Sequence, residues 1–176
     1  MTDIRARALA LHDAYVAGEL SEIQRLLGNL PRFPNCHQPH EFACGDWPLE
    51  YALYWSPGAM IRELIAIGAD VNYVDDTGFP ALFAALGRDK ADKYELLEYL
   101  IESGADIHQR GINDWTALHA AVAAQDLKAV ELLLQRGADP DIKTRIDECL
   151  SAYEEAINSN FMTAVVAMKN RGAGNG

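Results

Sequence analysis

Cysteine is scarce in this 176-residue sequence, and so are the patterns that would give it a membrane span or a chemistry of its own. Cys36, Cys44 and Cys149 form an odd set. A chain of this length buries roughly 68–70% of its unfolded surface without staples. Reduced thiols are therefore expected, not a disulfide framework. Long apolar runs are missing, which excludes a helix that crosses a bilayer. The opening Met-Thr-Asp-Ile-Arg leads straight into a charged, Ala-rich helical pattern, with no apolar stretch for a signal peptide. A cytoplasmic location is the expectation. Basic residues are also few, 15 Lys plus Arg against 26 Asp plus Glu, for a net charge of −11. Such a field does not draw the chain to nucleic acid or to an anionic membrane.

Catalytic patterns are absent too. No Ser or Cys stands in a Gly-framed elbow, no Gly-rich loop is shaped to cradle phosphate, and no helix carries H-E-x-x-H. Asp75 and Asp76 are neighbours in a turn and do not converge on a cleft. The sequence predicts no enzyme and no cofactor.

What is present is a repeat. Gly-Ala-Asp occurs at 68–70, 104–106 and 137–139, at spacings of 36 and 33, and Gly172-Ala173 follows 35 residues later. Each copy closes a Leu/Ile-rich run with apolar residues at three- and four-residue steps, the pattern of a helix ended by a left-handed glycine. A second helix start follows about ten residues on, most clearly at Thr116-Ala117-Leu118-His119-Ala120-Ala121.

That segment, continued by Leu127 to Leu134 and by Gly137-Ala138-Asp139, resembles an ankyrin repeat, whose motif is T-P-L-H-x-A in a unit of about 33 residues. Trp47-Pro48-Leu49-Glu50-Tyr51-Ala52 keeps the Pro-Leu and the Ala, with Glu50 at the His place. Pro80-Ala81-Leu82-Phe83-Ala84-Ala85 puts Phe83 there, and Ser151 to Ala156 is a degenerate copy. Leu9 to Ala14 is a first copy without a preceding turn. Leu11, Leu49, Leu82, Leu118 and Tyr153 mark the phase, at spacings of 38, 33, 36 and 35. The resemblance implies an all-α ankyrin-repeat solenoid of about five helix-turn-helix units joined by β-turn or hairpin loops. The expected domain is 1–176, with units near 1–35, 36–73, 74–109, 110–143 and 144–172 and a frayed tail at 173–176. Neither helix of such a unit buries its apolar face alone, so the units must stack.

Three insertions interrupt the regular unit: about five residues within Leu30 to Phe42, about three at Asp89-Lys90-Ala91, and about two near Arg145-Ile146-Asp147. Lengthening a surface loop costs little, so drift explains them as readily as a binding role.

The resemblance also implies binding of a partner protein, by the turn tips and the inner-helix surface. Matched residue by residue, the candidate partner-binding residues are Asp46, Tyr54, Trp55, Asp76, Phe79, Arg88, Asn113 and Trp115. Large aromatics outside the core are apt anchors. The alternative for Tyr54 and Trp55 is burial under the 30–42 insertion. At the His place, His12 and His119 are expected to tie neighbouring turns together. The acid excess is local: residues 41–110 carry net −8, whereas 1–40 are neutral and 111–176 carry −3. Asp46, Glu50, Asp75, Asp76 and Asp114 fall near the turn tips and inner helix, an acidic rim suited to a basic partner.

Metal chemistry has one weak candidate. Cys36, His40 and Cys44 are zinc-type donors at short spacing, but a closed site needs four. Cys149, three units away, would be roughly 30 Å off, given helices packed about 8–10 Å apart. The leading expectation is a monomeric, non-catalytic protein-binding module. An immunity- or antitoxin-type inhibitor of a basic toxin or effector is the alternative, and a zinc-binding regulator the minor one.

Overall fold

The computed structural model describes every residue except Met1, Asn29, 39–46, 75–77, Asp147 and 171–176. The described residues form ten α-helices in five consecutive pairs. These are α1 (Thr2–Ala17) with α2 (Leu20–Leu27), α3 (Pro48–Trp55) with α4 (Gly58–Ala66), and α5 (Ala81–Leu86) with α6 (Lys93–Glu102). Then come α7 (Ala117–Ala123) with α8 (Leu127–Gln135) and α9 (Ala152–Asn158) with α10 (Met162–Asn170). One pair falls within each span marked out by the repeat. The chain divides into two compact units, Met1–Asp75 and Asp76–Gly176.

In the first unit, Tyr15, Ile23, Leu49, Leu53, Ile61 and Leu64 are fully buried. The Tyr15 hydroxyl donates to Gln38 Oε1 at 3.1 Å, which ties the loop after α2 to α1. Asn35 fastens the same loop to the end of α4. Its Nδ2 donates to the Gly68 carbonyl at 2.7 Å, and its Oδ1 accepts from the Asp70 amide at 2.8 Å. The described part of the long insertion is thus built into the packing, by side chains satisfying backbone groups at a helix end.

In the second unit, α5, α7 and α9 contact one another in sequence, and so do α6, α8 and α10. The first set is rich in buried alanine (Ala81, Ala84, Ala85, Ala117, Ala121, Ala152, Ala156), whose small side chains let backbones come close. Larger apolar residues, Leu96, Leu97, Leu100, Val130, Leu133 and Val165, fill the space toward the second set. Polar links join successive pairs. Asp126 caps α8 by accepting from the Ala129 amide and also takes Lys93 Nζ at 2.6 Å and the Tyr94 hydroxyl at 3.0 Å. Arg136, just after α8, reaches Glu98 and Glu102 on α6.

The Gly-Ala-Asp triplet has one physical explanation, given three times. The glycines leave their helices at φ +98°, +96° and +95°, in the left-handed region where a side chain is strained. Each glycine amide donates to a carbonyl three residues back and each alanine amide to one five back, which closes the helix end. The alanines are buried. Each aspartate accepts from the amide two residues on, at 2.8, 2.9 and 3.1 Å, and so starts the next turn.

Candidate functional site

In α7 and α9 the third helical residue, the place of histidine in the repeat motif, reaches back with its side chain to the helix start. In α9 the arrangement is reciprocal: the Ser151 amide donates to Glu154 Oε2 at 2.9 Å, and the Glu154 amide donates to Ser151 Oγ at 3.2 Å. In α7 the side chain is His119. The Thr116 amide donates to its Nδ1 at 3.2 Å, which places the ring proton on Nε2. Nε2 then donates to the Leu150 carbonyl at 3.3 Å, joining α7 to the following loop. His119 is buried, and burial foremost pushes its pKa below the ordinary 6.5. His12 does something different, meeting the Tyr51 hydroxyl at 2.9 Å by Nδ1. A further tie between successive turns of the second unit comes from His108, whose Nε2 accepts from the Asp139 amide at 3.1 Å.

Two loops of the second unit form the most built part of the surface. The first is a tight turn, Ile112–Asp114, closed by the Gly111 amide donating to the Trp115 carbonyl at 2.8 Å. Its base leans on an earlier loop, where the Ile112 amide donates to the Gly78 carbonyl at 2.7 Å. Gly111 is obligatory there, because a Cβ would lie 2.6 Å from the Gly78 oxygen and 2.7 Å from the Pro80 ring. The second loop runs from Lys143 to Ser151, which form an isolated antiparallel bridge. The Thr144 amide donates to the Leu150 carbonyl at 3.0 Å. Asp114 joins the two loops. It receives Arg110 Nη1 and the Arg145 amide, each at 2.6 Å, and the Arg145 guanidinium. The Arg145 hydrogen bonds, ahead of every other cause, hold its carboxyl at about 2.

Between these loops lies a recess of about 390 Å³. Asn113 and Trp115 line it from the first loop, Glu148 and Leu150 from the second, and His119 and Glu155 from the inner helices α7 and α9.

The structure distributes the expected partner-binding residues unevenly. Asn113 is exposed at the turn tip with φ +57°, and Trp115 is half-buried in the recess wall. Trp55 is 48% exposed, so the described part of the 30–42 insertion does not cover it; the His12 ring meets it edge-on at 5.2 Å. Tyr54 and Phe79 are half-buried. Arg88, expected at the inner-helix surface, is instead only 4% exposed. Its guanidinium turns inward to hold Asp92 at 2.9 and 3.0 Å, which closes the insertion between α5 and α6 and keeps the Asp92 carboxyl below its usual range. Asp46 and Asp76 lie outside the described residues.

The acidic rim also needs correction. Glu50 is buried, and Asp114 is enclosed by two arginines. Asp75 lies outside the described residues. Two carboxylates that the sequence reading did not single out, Glu148 and Glu155, border the recess instead. Glu148 belongs to the insertion near Arg145-Ile146-Asp147, and Glu155 follows the capping glutamate, signals too weak to separate from solvated surface. Of the weak metal candidates, His40 and Cys44 lie outside the described residues. Cys36 is half-buried, and burial foremost raises its thiol pKa. No three His, Cys, Asp or Glu converge as a metal site among the described residues.

Paired helices and glycine-closed helix ends recurring about every 35 residues define a helical-repeat protein. Residues 49–144, more than half of the chain, match the family of ankyrin repeats in its three-copy form, and the chain belongs to the ankyrin-repeat family. It is 30% identical over 72% of its length to an ankyrin repeat-containing protein of Treponema pallidum (strain Nichols), of which it covers 42%. It is 29% identical over 93% of its length to the B-cell lymphoma 3 protein homolog of Mus musculus, covering 36%. It is 31% identical over 54% of its length to the ankyrin repeat and KH domain-containing protein mask-1 of Caenorhabditis elegans, covering 4%. The chain thus spans less than half the length of each of these relatives. Ankyrin repeats generally mediate protein–protein interaction and are typically non-catalytic. No described helix is long and apolar enough to cross a membrane.

Proposed function

We propose that this chain binds a partner protein through its turn tips and inner-helix surface, with no chemistry of its own. The observation that carries this reading is the set of aromatic and polar side chains held at the surface by fixed backbone. Trp115 and Asn113 sit on a turn closed by its own hydrogen bonds, at the mouth of a recess, and Trp55 stands half exposed at the end of α3. Rigid aromatic anchors lose little entropy on binding and dominate interface energetics.

A partner with a basic surface fits best, because the chain carries net −11, most of it between residues 41 and 110. The same excess favours the second reading, an immunity- or antitoxin-type inhibitor that occludes a basic toxin or effector. The test is affinity capture from native lysate, identification of the bound protein, and repetition with Trp115→Ala and Trp55→Ala. Each variant is expected to weaken capture by at least about 1–2 kcal/mol with the helical spectrum unchanged. Undiminished capture by both would overturn the surface assignment. A bound toxin encoded beside this chain would decide for the second reading.

A further inference from the structure

The recess between the 111–115 turn and the 143–151 loop has a composition that selects its ligand. Its walls offer an indole from Trp115, the apolar side chain of Leu150 and the carboxylates of Glu148 and Glu155. Neither carboxylate accepts a hydrogen bond or pairs with a base among the described residues. The bases of the surrounding loops are engaged elsewhere: Arg110 and Arg145 with Asp114, and Lys143 with Glu154 at 2.9 Å. His119 accepts from the Thr116 amide at Nδ1, which requires the neutral ring, and burial foremost lowers its pKa in the same direction. Arg110 and Arg145 share one carboxylate, so Glu148, Glu155, Asp114 and Glu154 against Arg110, Arg145 and Lys143 leave one net negative charge around the recess, beside an aromatic ring.

Size narrows the choice. About 390 Å³ is near the lower end for ligand pockets, enough for one long side chain and too little for a helix. The walls are also preformed. Backbone hydrogen bonds at 2.8 and 3.1 Å fix Trp115 on its turn. The Leu150 carbonyl is held by the Thr144 amide and by His119 Nε2. Glu155 rides on the first turn of α9, whose start is closed by Ser151 and Glu154.

We propose that this recess receives a single cationic side chain of the partner protein, arginine in preference to lysine. A guanidinium stacks on an indole, forms paired hydrogen bonds to carboxylates and is more weakly hydrated than an ammonium. An anion would meet two carboxylates, and a neutral apolar group would leave them desolvated without a partner. The assignment rests on the protein-binding reading above and gives that interface an anchor residue on the partner's side.

The test needs no identified partner. Isotope-labelled protein is titrated with the peptide acetyl-Gly-Arg-Gly-amide and with its lysine and citrulline counterparts, citrulline having nearly the same shape without the charge. The arginine peptide is expected to move the Trp115 indole N–H and the Thr144 and Leu150 amides saturably, with half-saturation in the millimolar range. The lysine peptide should bind more weakly and the citrulline peptide not at all. The double variant Glu148→Gln/Glu155→Gln, two surface changes, should weaken arginine binding at least about tenfold with the thermal midpoint unmoved. Absence of a saturable shift, equal shifts from citrulline, or full affinity in the double variant would each overturn the assignment. The two readings fail separately. Loss of capture in the tryptophan variants without arginine binding leaves the interface standing and removes the recess. Saturable arginine binding with capture intact in those variants supports the recess and removes the interface.

Discussion

His119 shows how one side chain serves two adjacent elements. As an acceptor at Nδ1 it satisfies the open amide of Thr116, and as a donor at Nε2 it satisfies the Leu150 carbonyl of the next loop. Both roles need the neutral ring. Its folded pKa lies below the ordinary 6.5, so the unfolded chain binds the extra proton first as pH falls. Its contribution to stability is full above about 6.5 and is lost as pH falls through the lower, folded value. Urea unfolding at pH 7.5 and 5.5 should show this loss, and His119→Ala should cost about 1–3 kcal/mol at pH 7.5 while flattening the dependence. His119→Gln should flatten it equally but keep more stability, since an amide oxygen can still accept from Thr116. An unaltered pH dependence in both variants would show that the titration belongs to another group. Arg88 carries the opposite lesson about side chains. Its position on the repeat pattern is a variable surface one, yet the insertion after α5 brings Asp92 close enough to draw it inward.

At the scale of the elements, glycine serves two distinct ends. Gly104 follows α6 with φ +96° and has open space where a Cβ would sit, so its requirement is purely conformational. Gly111 is required by space, because its missing side chain would overlap the Gly78 carbonyl and the Pro80 ring. Gly104→Ala should therefore cost about 1–2 kcal/mol in urea unfolding and leave the surface unchanged. Gly111→Ala should cost at least about 1–3 kcal/mol and also move the Trp115 indole resonance, because the clash displaces the turn that carries it. Equal spectra for the two variants would contradict this division. Insertions separate in the same way. The one between α5 and α6 is closed by an internal ion pair, whereas the one before α9 contributes Glu148 to the recess.

For the whole molecule, charge is the property most changed by the fold. The net −11 includes carboxylates that are not offered to a partner: Glu50 is buried, and Asp92, Asp114 and Asp126 are held by neighbouring cations. On the proposed reading, the remaining negative field steers a basic partner. Raising salt from about 0.05 to 0.5 M should slow association much more than it speeds dissociation, since screening acts chiefly on encounter. Salt-independent association would count against a basic partner. The helix pairs and the helix ends at Gly68, Gly104 and Gly137 were legible in the sequence, because a helix that must bury one face repeats its apolar residues locally, and a left-handed helix end nearly demands glycine. The family followed from the same periodicity, carried most clearly by Thr116 to Ala121. The candidate site was legible only in part. Repeat register led to Asn113 and Trp115, but not to Glu148 and Glu155 beside them, nor to the burial of Arg88 and Glu50. Local spacing determines which residues share a helix face and where a helix must stop. Whether a carboxylate faces an arginine, the interior or an open recess depends on loops that meet only after the helices have packed, and tertiary structure alone decided that.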